Sequence, residues 1–179
     1  MPFLRFCDRA IQWLGTAALA VAAVFIGLLA IVGTADSVGT QLLATPVPSA
    51  LEFSEASLVV VVFMGLAFAQ HRRGHVTVDI LTGRLRPGWV RTGLTALALL
   101  AAIAFFAILA WRGYIAATES IAIDERSLGL TRFPIWPGKI ALCIGCVIAL
   151  LESLRQFVHL CRGDPDAFEA HAIEDDAAL

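Results

Sequence analysis

Four apolar segments, each about as long as a bilayer core is thick, decide what this chain can become. Ile11 to Ala35 has no charged residue, and Thr92 to Trp111 has none. Leu51 to Gln70 carries only Glu52 and Glu55, and Ile135 to Phe157 is uncharged between Lys139 and Glu152. A helix rises about 1.5 Å per residue, so about 20 such residues cross a hydrocarbon core of about 30 Å. The second and fourth segments cross only if their end charges sit at an interface. Composition agrees: 59% of the chain is hydrophobic, against roughly 45–50% in soluble domains. The expected fold is all-α, an integral membrane protein with four transmembrane helices at about 11–35, 51–70, 92–111 and 135–157. Arg5, Arg9 and the small residues Gly33-Thr-Ala35 give the first segment some look of a cleaved signal. Signal cores run about 7–15 residues, and this run is longer, so it is read as a retained anchor.

Orientation follows from the arginines. Arg5 and Arg9 precede the first segment, and Arg72, Arg73, Arg84, Arg86 and Arg91 follow the second. Arg155 and Arg162 close the fourth, while residues 36 to 50 contain no Lys or Arg. Nine of the 13 basic residues thus lie on the N-terminal side. The positive-inside bias then puts both termini and the 71–91 connection in the cytoplasm. Trp13 and Trp89 fall at the inner boundary and Trp111 and Trp136 at the outer one, where amphipathic rings prefer to lie. Residues 112–134 alternate charges with Ile121, Ile123, Leu128, Leu130 and Phe133, which suggests a segment lying on the outer interface or on a partner. Residues 1–162 form the membrane module. Residues 163–179 carry six acids and no Lys or Arg and are expected to be a disordered, solvated tail.

Several chemistries are disfavoured by placement. A net charge of −2 and the lack of a glycine-rich nucleotide loop give no footprint for nucleic acid. Cys143-Ile-Gly-Cys146 has the spacing of a thiol-redox pair, the one feature favouring a four-span quinone-reducing thiol oxidant. The pair lies inside the fourth segment, however, and an apolar, buried thiol is inert because the thiolate is the reactive form. Small packing residues are the better account. His71 and His75 are four apart but have no third ligand nearby except Asp79, and no histidine sits at membrane depth for a haem. No enzyme activity, cofactor or metal is expected. A freestanding channel or exporter would want polar residues along one face, and Thr92 to Trp111 offers only Thr95.

Glu52 and Glu55 are three apart and share a helix face. Acids within a span usually point into a bundle, a cavity or a partner. Alternatively the helix starts near Ser54, and both acids then sit at the headgroups at its positive end. Glu152 and Arg155 can pair at i,i+3 near the inner interface, with Arg155 snorkelling to the headgroups.

The pattern resembles the small membrane subunit (DctQ type) of tripartite ATP-independent periplasmic, or TRAP, transporters. The resemblance covers most of residues 1 to 160. It is carried by the four-span plan, by Glu52-Phe-Ser-Glu55 opening the second span, and by Gly65-Leu-Ala-Phe-Ala leading into Arg73-Gly-His75-Val-Thr-Val-Asp79. Leu128-Gly-Leu-Thr-Arg-Phe-Pro134-Ile-Trp136 before the fourth span adds to it. The acidic tail and the Cys143/Cys146 pair are not part of the pattern. The resemblance implies a bacterial inner-membrane subunit of a sodium-driven, binding-protein-dependent secondary transporter for small organic acids such as C4-dicarboxylates. Its implied partners are a large membrane subunit, a periplasmic solute-binding protein and the lipid bilayer. Substrate and sodium would be held by those partners, with this chain as a scaffold. The absence of charge from the middle of every segment agrees, since transporters place their sites at broken helices near the midplane. Glu52, Glu55, Arg73, His75, Asp79, Pro134 and Trp136 are the candidate structural or partner-contact residues.

Overall fold

The computed structural model describes residues 2–71, 89–127 and 132–162. They form four helices and, among the described residues, no strand: α1 Pro2–Leu43, α2 Ala50–His71, α3 Trp89–Ala122 and α4 Trp136–Cys161. Each is long and apolar enough to cross a membrane. The tail and the 72–88 connection lie outside the described residues.

All four helices run past the apolar segments that announce them. The longest single extension is in α3, which runs to Ala122 rather than ending at Trp111. Residues 112–122 therefore continue the third helix. The reason is local. Polar residues such as Arg112, Thr118 and Glu119 do not break a helix, and Ala116 and Ala117 favour one. The helix stops at Asp124, whose φ of 47° is left-handed. There the chain closes on itself, with Asp124 N–H donating to Ile121 C=O at 3.2 Å and Glu125 N–H to Ser120 C=O at 2.9 Å. The turn from α1 to α2 is as tight. Pro46 and Pro48 bar helix, Ala44 and Ser49 have positive φ, and the Asp36 carboxylate accepts from Val47 N–H at 2.9 Å.

Packing runs in the order α1, α2, α4, α3, with only slight contact between α1 and α4. Gly138 lies against Ala56, Gly145 against Phe63, and Gln156 reaches Gln70, so α2 and α4 run parallel. The arrangement is an open chain of neighbours rather than a closed bundle. Lipid is as apolar as these surfaces, so nothing drives the outer faces to close on each other. What brings the helices together is close fit between small residues: the core holds Ala18, Ala22, Ala67 and Ala149 with Val60, Met64 and Phe106. Gly145 marks the tightest approach. A Cβ there would stand 2.6 Å from the Phe63 carbonyl oxygen.

Candidate functional site

The polar chemistry collects at the two ends of the helices. At the end where α2 finishes, Glu152 is 1% exposed, and Gln70, Ser153 and Gln156 are buried beside it. Arg155 grips Glu152 with two parallel bonds, Nη2 to Oε1 at 2.6 Å and Nε to Oε2 at 3.0 Å. Gln156 Nε2 donates to Glu152 Oε1 at 2.9 Å and to the Gln70 carbonyl at 2.7 Å. That second bond ties the last turn of α2 to α4, immediately before the connection bearing Arg73, His75 and Asp79. Those three residues lie outside the described residues.

The i,i+3 pair expected from the sequence is therefore present, but its setting differs. The Arg155 side chain is only 15% exposed, so it turns inward to Glu152 instead of snorkelling outward. Gln70 and Gln156 were not singled out by sequence reasoning. Their signal was faint: polar residues near the ends of two apolar runs.

At the opposite end, α2 begins at Ala50, a full turn before Ser54. Glu52 therefore lies in the first turn, where the helix dipole favours a carboxylate. It is half-buried, and Glu55 is exposed. Neither makes an ion pair with a described residue. Pro134 pairs with Arg126 in a one-residue antiparallel bridge, supported by Ser127 N–H to Phe133 C=O at 2.8 Å and Ile135 N–H to Glu125 C=O at 3.1 Å. Trp136 then opens α4, followed by Pro137, which suits a helix start because its missing N–H has no partner to lose.

One charge tie fastens this loop to α4: Lys139 donates to the Glu125 carboxylate. The hydrogen bond from Lys139 holds the Glu125 carboxyl below its usual value of 4.5. A depressed carboxyl stabilises above its unfolded pKa, so this tie is intact at neutral pH and is lost only as pH falls through the lowered value. A second pair, Arg126 to Asp124 at 2.8 Å, is exposed and contributes little.

Cys146 is buried, and Cys143 Sγ lies 3.8 Å from the Ala110 carbonyl between α3 and α4. Both thiols serve as small residues at a helix contact. Among the described residues no three His, Cys, Asp or Glu side chains gather as a metal site would need. What the arrangement does chemically is tie: one buried network at one end, one charge-fastened loop at the other.

A family model, described as the DctQ component of tripartite ATP-independent periplasmic transporters, matches residues 29–163. The match runs from within α1 past the end of α4. No curated protein and no solved structure matches the chain. The chain belongs to the DctQ family: it is the small, multi-pass membrane component of a TRAP transporter, a family that works together with a large membrane subunit and a binding protein.

Proposed function

We propose that this chain braces the large membrane subunit of a sodium-driven importer of small organic acids, C4-dicarboxylates being the leading class, and helps dock the periplasmic receptor. The observation that carries the reading is where the polar groups go. Gln156 is engaged in joining α4 to the Gln70 carbonyl on α2, and Glu152 is held within α4 by Arg155 and Gln156. Sodium and carboxylate sites in carriers draw on converging oxygens and helix termini near the midplane, and the described charges lie towards the helix ends. Glu52, Glu55, Pro134 and Trp136 belong to the end that meets the receptor. Arg73, His75 and Asp79 order the turn at the other.

Reconstitution tests the role. With receptor and a sodium gradient present, vesicles holding the large subunit alone are expected to take up little labelled dicarboxylate, and adding this chain restores uptake. Calorimetry of this chain alone should show no heat with sodium or with the dicarboxylate. Sodium binding by the isolated chain would end the scaffold reading.

The family points to a bacterial inner membrane, and arginine placement supports both termini and the 72–88 connection in the cytoplasm. A reporter active only outside the cytoplasm should work when fused after Leu43 or Ser127 and stay silent after Gly83 or Gly163. The opposite pattern reverses the orientation.

A further inference from the structure

One charge departs from the pattern of charges gathered at the helix ends. Arg112 is exposed on α3, well before that helix finishes at Ala122. Its depth follows from the packing. α2 has 22 residues, about 33 Å of helix, set between Pro48 and Arg72. Crossing a core of about 30 Å takes nearly all of that length, so mid-bilayer falls near Val60 and Val61. Gly138 lies against Ala56 and Gly145 against Phe63. The parallel helices α2 and α4 therefore stay in step, and Cys143 is level with Val61. Cys143 in turn meets α3 on either side of Arg112. Its Sγ lies 3.8 Å from the Ala110 carbonyl, and a Cβ on Gly113 would stand 3.6 Å from its Cα. Arg112 is thus close to mid-bilayer, about 15 Å from either face. Trp111, expected at the outer boundary, lies with it, about 10 Å below Trp136.

A cation at that depth is costly and rare, and where one occurs a counter-charge or a water-filled cavity meets it. This chain supplies no counter-charge. Arg112 makes no ion pair with a described residue. α1 is uncharged from Ile11 to Ala35, α2 from Ala56 to Gln70, and α4 from Ile140 to Leu151. Glu119, on the same face of α3, is about two turns away. Lipid phosphates lie at the two faces, beyond the stretch of an arginine side chain snorkelling from mid-depth. A second copy of this chain would bring the same uncharged levels and another arginine.

We propose that Arg112 pairs with an Asp or Glu carried near mid-membrane by a helix of the large membrane subunit. α3 then fixes this chain to its partner by charge, at a level where neither water nor headgroups compete for it. The proposal rests on the reading that this chain braces the large subunit, and adds the residue and the chemistry.

Recovery of the large subunit with this chain, in mild detergent from membranes holding all subunits, tests the pair. Arg112→Leu is expected to lower that recovery about tenfold, and Arg112→Lys to keep most of it. Expressed without the large subunit, the Leu variant should be at least as abundant in the membrane as the native chain, because a charge has left the bilayer. A large fall in its abundance there would make Arg112 a folding residue of this chain and overturn the proposal. A photoreactive residue at Ile108, 63% exposed and one turn from Arg112, locates the partner helix. It should cross-link to a segment of the large subunit with an acid near mid-span. Neutralising that acid together with Arg112 should restore most of the recovery that either change alone removes. Undiminished recovery with Arg112→Leu, an Ile108 adduct with lipid or a second copy only, or a cross-linked segment without an acid overturns the ion pair and leaves the bracing role standing. Undiminished recovery with a raised KM for dicarboxylate uptake overturns it in favour of a substrate contact. Failure of the native chain itself to recover the large subunit overturns the bracing role.

Discussion

Replacing Glu152 by Leu is expected to cost about 3–5 kcal/mol and to lower the thermal midpoint of the purified chain in mild detergent by roughly 10 °C. Removing the carboxylate leaves the Arg155 guanidinium, only 15% exposed, without the two bonds that hold it. Gln156 loses one of its two acceptors as well. The asymmetry matters more than the pair. Taking two charges out of water offsets much of their attraction, so removing both together is far milder than stranding one. Glu152→Leu with Arg155→Leu should therefore recover most of the lost midpoint. Glu152→Gln, which keeps shape and an acceptor but drops the charge, should fall between. A single Glu152→Leu variant as stable as the native chain would show that the pair contributes little where α4 meets the end of α2.

The second large effect is expected at Gly145. An added Cβ would lie 2.6 Å from the carbonyl oxygen and 2.8 Å from the carbonyl carbon of Phe63. Those are backbone atoms of α2, not the yielding tip of a side chain, so the two helices must move apart. Gly145→Ala gains up to about 1 kcal/mol in helix propensity. Overpacking costs about 1–3 kcal/mol and lies at its upper end where backbone meets backbone, so the loss wins. Gly145→Val should be worse and is expected to abolish a cooperative transition. Gly27→Ala on α1 is the control, because nothing lies within 4 Å of that position and only the propensity gain remains. If Gly145→Ala and Gly27→Ala shift the midpoint alike, α2 and α4 do not pack as closely as described.

The helices were legible because a run of some 20 apolar residues has few other fates. Where they end was less legible, because hydropathy records where lipid stops and not where helix stops. Arg112 and Glu119 look like an exit from the membrane, yet α3 continues through both until Asp124 turns left-handed. Short-range chemistry was readable. Glu152 and Arg155 stand three apart, so helical spacing alone brings them together. Long-range chemistry was not. The Gln156–Gln70 bond spans 86 positions and the Lys139–Glu125 tie spans 14, and neither distance follows any period of the chain. Burial was the other blind spot. The same spacing fits a surface pair and a pair sealed between helices, and only the packing of α2 on α4 decides between them. Glu52 and Glu55 show the converse: their spacing suggests one shared face, yet one is half-buried and the other exposed.

The reach of α1 has a consequence for how the protein sits in its membrane. Its uncharged stretch from Ile11 to Ala35 makes about 38 Å of helix, which a core of roughly 30 Å takes up at a tilt within the usual range of about 0–40°. The helix runs on to Leu43, about 12 Å further, through Asp36, Ser37, Thr40 and Gln41. Those side chains prefer headgroups and water to lipid tails. The first helix therefore lifts its turn into α2 clear of the hydrocarbon.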